Sequence, residues 1–173
     1  MLNIRLAKSK MENEEGMNHL WVRIHPLSSQ VLKHAQLTIH LPNGVYRSEN
    51  LNGYFENKSA CMLLGSISHE LNIMIEIYTQ QEIPCRKTEI TVSLSYKDGQ
   101  GQPKEMTSSI PLVLVSEDEM DDMKIDKEVI SQLEKINERN ADEGLVGFPL
   151  QTQYLTNELS SLEKKYRIDC AFF

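Results

Sequence analysis

The sequence predicts a mainly β protein, an antiparallel sandwich of two layers followed by a pair of C-terminal helices. Three observations carry that expectation. Two stretches in the middle of the chain, ELNIMIEIYT (residues 70–79) and KTEITVSLSY (87–96), alternate apolar and polar residues. On a pleated strand this puts Leu71, Ile73, Ile75 and Ile77 on one side and Asn72, Met74, Glu76 and Tyr78 on the other. Strands apolar on one face only need a second apolar layer to cover them. Shorter alternating runs, about seven or eight in all, recur before residue 117 with turn residues between them, at the spacing of an immunoglobulin-like sandwich. From Ile125 the apolar period lengthens to that of a helix. The expected division is a sandwich domain over residues 1–117 and a helical segment over 118–173, packed on or beside it.

Taken in order, Leu2, Ile4 and Leu6 alternate with Asn3 and Arg5 and predict a short strand, and MENEEGMN after it reads as a loop. HLWVRIH places Leu20, Val22 and Ile24 together and is stopped by Pro26. QLTIHL does the same with Leu37, Ile39 and Leu41, then meets Pro42-Asn43-Gly44, where proline presets the first turn dihedral and Asn-Gly tolerates positive φ. Residues 45–47 leave that turn, 50–58 are irregular and Asn-rich, and residues 61–64 form a short apolar run closed by Gly65. Asp98-Gly99-Gln100-Gly101 marks a hairpin loop from the second long strand to the run at 106–115, where Pro111 predicts an edge or a bulge because it cannot donate to a ladder. Ile125, Val129, Leu133 and Ile136, with Ile130 beside them, then define a helix face, with Asp126 or Asp122 as its cap and Gly144 as its end. Leu155, Leu159, Leu162 and Tyr166 define a second helix, and the terminal RIDCAFF is expected to add a strand or lie in an interface.

The 173 residues suit one domain, with or without an appendage. A formal charge of −7, with no basic stripe to offset it, excludes a nucleic-acid partner, since phosphate binding draws on clustered Lys and Arg. No run is apolar and long enough to span a bilayer, so no membrane partner is expected. Three cysteines, Cys61, Cys85 and Cys170, show neither CxxC nor metal-ligand spacing and read as reduced, buried thiols in a cytoplasmic protein.

The motifs point away from chemistry. The acidic run at 117–122 lacks the D-x-[DN]-x-[DN]-G loop of a calcium site and reads as a solvated linker. His19, His25, His34, His40 and His69 have no HExxH spacing. Cys61 and His69 form a conceivable nucleophile pair with no evident third partner, and Cys61 is expected buried in a short core strand. Trp21, Tyr54 and Phe55 are conceivable sugar-stacking rings, but a single Trp in a strand pattern is more often core. No catalytic residue, cofactor or metal is therefore assigned.

From Gln36 to Gly144 the succession LTIHLPNGV, LLGSI, LNIMIEIYT, SLSYKDGQG, SSIPLVLV and KIDKEVISQLEKI resembles the region following the von Willebrand factor type A domain in many bacterial proteins of that superfamily. The resemblance implies a β-sandwich followed by helices, attached to a metal-binding adhesion domain. The DxSxS motif of the type A domain itself is absent, so no metal-site residue carries over. The function expected is a non-enzymatic scaffold or protein-interaction module accessory to a type A domain in a longer chain. Tyr54, Phe55, Phe172 and Phe173 are its candidate contact residues, and a neighbouring domain, a protein partner or a second copy is what it would contact. The alternative is a ligand-binding or hydrolytic sandwich with its site in the end loops near Cys61 and His69.

Overall fold

The computed structural model describes residues 1–27 and 30–142. Nine strands, β1 (Leu2–Leu6), β2 (Met11–Glu12), β3 (Met17–Ile24), β4 (Leu32–His40), β5 (Val45–Arg47), β6 (Met62–Ile67), β7 (Leu71–Thr79), β8 (Arg86–Lys97) and β9 (Pro103–Val115), precede a 3-10 turn at Glu117–Glu119 and the helix α1 (Lys127–Asp142). The strands form two sheets, in the orders β1-β3-β7-β5 and β2-β9-β8-β4-β6. Every pairing is antiparallel except the short β2–β9 contact. A first strand divided between both sheets, with its second piece parallel to the last strand, is the immunoglobulin-like arrangement the turn spacing predicts.

The two long alternating stretches lie in opposite layers. Ile73, Ile75 and Ile77 of β7 and Ile90, Val92 and Leu94 of β8 are fully buried in one apolar cluster, joined by Leu20, Val22 and Ile24 from β3 and Leu37 from β4. Each such side chain contributes about 1.5–3 kcal/mol on leaving water.

Three sequence expectations need correction. MENEEGMN is not wholly loop, because Met11 and Glu12 pair in parallel with Leu114 and Val115, and Met11 is fully buried. Gly65 does not end the strand but sits within β6 at positive φ, opposite Ala35 and beside His34, whose φ is also positive, where the β4–β6 register shifts. The described thiols are not buried: Cys61 precedes β6 instead of lying in a core strand and is half-exposed, and Cys85, ahead of β8, is exposed.

The passage from β1 to β2, where the chain leaves one sheet for the other, is held by buried side chains. Asn18 accepts hydrogen bonds from the Lys8 and His19 amides through Oδ1 and donates to the Lys8 carbonyl, while the Thr79 hydroxyl accepts from the Gly16 amide and donates to the Glu12 carbonyl. These bonds satisfy backbone groups that the break in the strand would leave dry and unpaired. A Cβ on Gly16 would stand 2.2 Å from the Glu12 carbonyl oxygen, so only glycine closes this turn.

Asp126 caps α1, its Oδ1 accepting from the Glu128 and Val129 amides, and it also pairs with Arg5 of β1. Asp122, the other expected cap, pairs with Lys10 instead. The chain divides into compact units at 1–132 and 133–173, further along than the expected boundary at 117. Residues 117–132 belong with the first unit because Ser9 bonds to Lys124, Asp126 to Ala7, and Arg5 to both Asp126 and Glu128. Of the predicted apolar positions Val129, Leu133 and Ile136 are buried and Ile130 is half-buried, whereas Ile125, which precedes the helix, is 53% exposed. The expected second helix, the end of the first at Gly144, and Phe172 and Phe173 lie outside the described residues.

Candidate interaction surface

The connection between β5 and β6 has no regular secondary structure of its own, yet its hydrogen bonds leave little freedom. Ser48 and Leu51 donate backbone bonds to Glu76 and Met74, and the Met74 amide donates to Asn52 Oδ1, so residues 48–52 seal the edge of β7 beyond the end of β5. Residues 55–57 then run against 61–63, with Leu63 N–H donating to the Phe55 carbonyl, Asn57 N–H to the Cys61 carbonyl, and Glu56 bridged to Met62. The loop therefore straps one sheet to the other.

A buried ion pair fixes the strap. Arg47, at the end of β5, donates to both oxygens of Glu56 at 2.7 and 3.3 Å, and to the Ala60 carbonyl at 2.6 Å. The two side chains are only 9% and 11% exposed. Burial alone would raise the Glu56 pKa, but bonds from Arg47 and from the Asn50 amide and side chain outweigh it and hold the carboxyl below its ordinary range. Asn50 completes the network, its amide donating to the Tyr54 carbonyl and its carbonyl accepting from the Tyr54 N–H, as a strand neighbour would. Ala60 takes φ +55, a left-handed conformation costing about 1 kcal/mol or more, held where Arg47 grips its carbonyl.

This geometry separates the two predicted contact residues. Alternation along residues 54–56 turns Tyr54 and Glu56 inward and Phe55 outward. Tyr54 is half-buried against the core, and burial raises its phenol pKa. Phe55 is 67% exposed. Leu63, 40% exposed, stands opposite it in register and on the same face. Leu63 pairs with Gln36 and Gln36 with Ser95, so the two apolar side chains form one corner of the outer face of the five-stranded sheet. The rest of that face is polar, with Thr38, Thr91, Ser93, Thr107 and Ser109 at its middle and Glu89 and Glu105 among the residues beside them. Here Thr91 and Ser109 share a hydrogen bond at 3.0 Å, and Ser93 and Thr107 one at 3.5 Å. Leu63 joins Phe55 as a candidate contact residue that the sequence does not reveal, because which face of a short strand meets water depends on its partner's register.

The other sequence candidates are apart from this surface or engaged elsewhere. Cys61 Sγ lies 3.9 Å from Gln36 Oε1, while His69 is exposed and bonds to Ser68. Trp21 is 3% exposed, its indole N–H donating to Asn72 and its ring flanked by the Arg5 and Arg23 guanidiniums at 5.6 and 6.0 Å, which leaves no face for a sugar. An open depression of about 480 Å³ is lined by Glu15, Met17, Ser48, Glu76, Tyr78 and Gln80 among others. In it the Ser48 hydroxyl donates to Glu76 rather than to a histidine, so the pair does not activate a nucleophile. Among the described residues no group of three or more His, Cys, Asp or Glu is placed to hold a metal ion, and no helix is long and apolar enough to cross a membrane.

No family model and no curated protein matches the chain. Among solved structures it is similar to a variant of BcpA, the major pilin subunit of Bacillus cereus, at 11% identity and a TM-score of 0.46, covering 67% of this chain and 40% of that one. It is also similar to the periplasmic chaperone SfaE, at 14% identity and a TM-score of 0.36, covering 66% and 57%. An exo-β-N-acetylglucosaminidase of Vibrio harveyi matches at 18% identity and a TM-score of 0.29, over 66% of this chain and 18% of that enzyme. The chain thus spans less than two thirds of each.

Proposed function

We propose that this protein is a non-catalytic interaction module that docks a protein partner through the outer face of its five-stranded sheet, anchored at the Phe55–Leu63 corner. One observation carries the reading: an aromatic ring is held two thirds in water on a loop whose every turn is fixed by a buried Arg47–Glu56–Asn50 network. A rigid loop presenting an apolar side chain beside a polar, hydrogen-bonding face has the composition of a contact surface, an apolar anchor within a polar rim. The partner we assign is a type A domain, covalently adjoining or separate, and the support for it is the ordered succession of strand and turn motifs from Gln36 to Gly144.

Calorimetric titration of the chain with a type A domain expressed from the same or an adjacent reading frame tests this. Wild type is expected to bind, and Phe55→Ala to lose at least tenfold in affinity with an unchanged unfolding midpoint. Absence of binding would overturn the choice of partner, and equal affinity in the two proteins would overturn the surface.

A further inference from the structure

The far edge of the same sheet carries a second, independent feature. β9 pairs with β8 along its whole length, whereas among the described residues its other side is paired only at Leu114 and Val115, by β2. Two observations determine which backbone groups point where. At the hairpin, Asp98 N–H donates to the Gln102 carbonyl, so even-numbered residues of β9 bond to β8. At the other end, Asn13 N–H donates to the Val115 carbonyl, so odd-numbered residues face outward. Pro103 and Pro111 are both odd. Their missing N–H groups belong to the open side, which is why β9 holds two prolines with no register shift against β8. Between them Glu105, Thr107 and Ser109 are exposed and aim their amides and carbonyls off the sheet.

We infer that this edge pairs with the same edge of a second copy, antiparallel about a two-fold axis through Thr107, to make one continuous sheet across the two molecules. In that register Thr107 meets Thr107 of the partner subunit and Glu105 meets Ser109 of the partner subunit. Each of the three amides thereby finds a carbonyl, reciprocally. Pro103 falls opposite Pro111 of the partner subunit, so the donorless positions coincide and neither interrupts the bonded stretch. An axis through Glu105 would set two carboxylates against each other, and an axis through Ser109 would place Thr107 opposite a proline. Prolines on an edge ordinarily prevent pairing. Here they frame the three paired residues and leave that window open.

Sedimentation of the whole chain from micromolar to millimolar concentration, with hydrogen exchange at both extremes, tests the proposal. Wild type is expected to pass from monomer to dimer. The Glu105, Thr107 and Ser109 amides should become protected at high concentration, while those of Met106, Ser108 and Ile110 are protected throughout. Thr107→Pro, which removes a donor that β8 does not use, should weaken dimerisation at least tenfold. Phe55→Ala should leave it unchanged, which separates this edge from the docking corner. A wild type monomeric at millimolar concentration, edge amides indifferent to concentration, or a dimer lost in Phe55→Ala would each overturn the pairing. Should Thr107→Pro fail to fold, the exchange pattern of the wild type decides the matter alone.

Discussion

The outer faces of the two sheets begin from the same alternation and end in different states. On the five-stranded sheet the residues opposite the core, Thr38, Thr91, Ser93, Thr107 and Ser109, are half-exposed or exposed. On the four-stranded sheet the corresponding positions of β3 and β7 include His19, Trp21 and Met74, which are 0%, 3% and 0% exposed and, for the two apolar side chains, lie outside the main core cluster. The second face is covered because both of its flanks are occupied. The strap at 48–52 hydrogen-bonds to Met74 on one side, and Asp126 and Glu128 grip Arg5 on the other. A strand's periodicity says which side chains share a face, and segments far away in sequence decide whether that face is wet.

If this contrast is right, substitutions at matched outward positions should differ by an order of magnitude. The largest effect is expected for Trp21→Ala, which removes a buried ring, its bond to Asn72 and the packing of two guanidiniums. The loss should be about 3–5 kcal/mol in urea unfolding. A cost under about 1 kcal/mol would mean that the covered face contributes little.

Next comes pH. Burial, with a further contribution from the positive charge of buried Lys8, lowers the His19 pKa from 6.5 to about 4, even though Glu76 Oε2 lies 3.9 Å from its Nε2. Desolvation outweighs that carboxylate, so His19 is neutral in the folded protein at pH 7. The unfolded chain binds the proton below about pH 6.5 and the folded protein only below about 4. Between those values the unfolded state holds more protons, so stability falls as pH falls through this window, by about 3 kcal/mol in all. The contribution is complete above the unfolded value. Unfolding curves at pH 7 and pH 4.5 should therefore differ more for wild type than for His19→Gln, and equal differences would show that another group carries the dependence.

The smallest effect sharpens the contrast from the other side. Ser93→Ala, on the bare face, loses only a 3.5 Å contact to Thr107 and should change stability by less than about 0.5 kcal/mol in the same assay.

Several elements were legible from local chemistry. The 98–101 loop and the Pro42-Asn43-Gly44 turn formed as read, and Asp126, one of the two caps the sequence offered, formed as well, because each depends on residues within one turn of itself. Pro111 marked an edge correctly. Misreadings came where the deciding partner is distant in sequence. Met11–Glu12 looks like loop until Leu114 and Val115 arrive beside it, and Gly65 looks like a terminator until Ala35 supplies a bulge to accommodate it. At the candidate surface, the exposure of Phe55 was legible as an aromatic in a polar loop, whereas Tyr54 beside it turned inward for a reason no neighbour reveals.

By itself the sequence determined the layered β architecture, the apolar set of each strand and the helix start, because backbone pleat and helical turn are local periodicities that side-chain polarity follows directly. Only the tertiary structure decided that the long strands face each other from opposite sheets, and that the Arg47–Glu56 pair would be buried to hold the strap. It also decided that the odd amides of β9 would point into solvent. Pairing direction and register are set between segments whose separation along the chain carries no local signal, and burial is a property of the closed assembly rather than of any stretch within it.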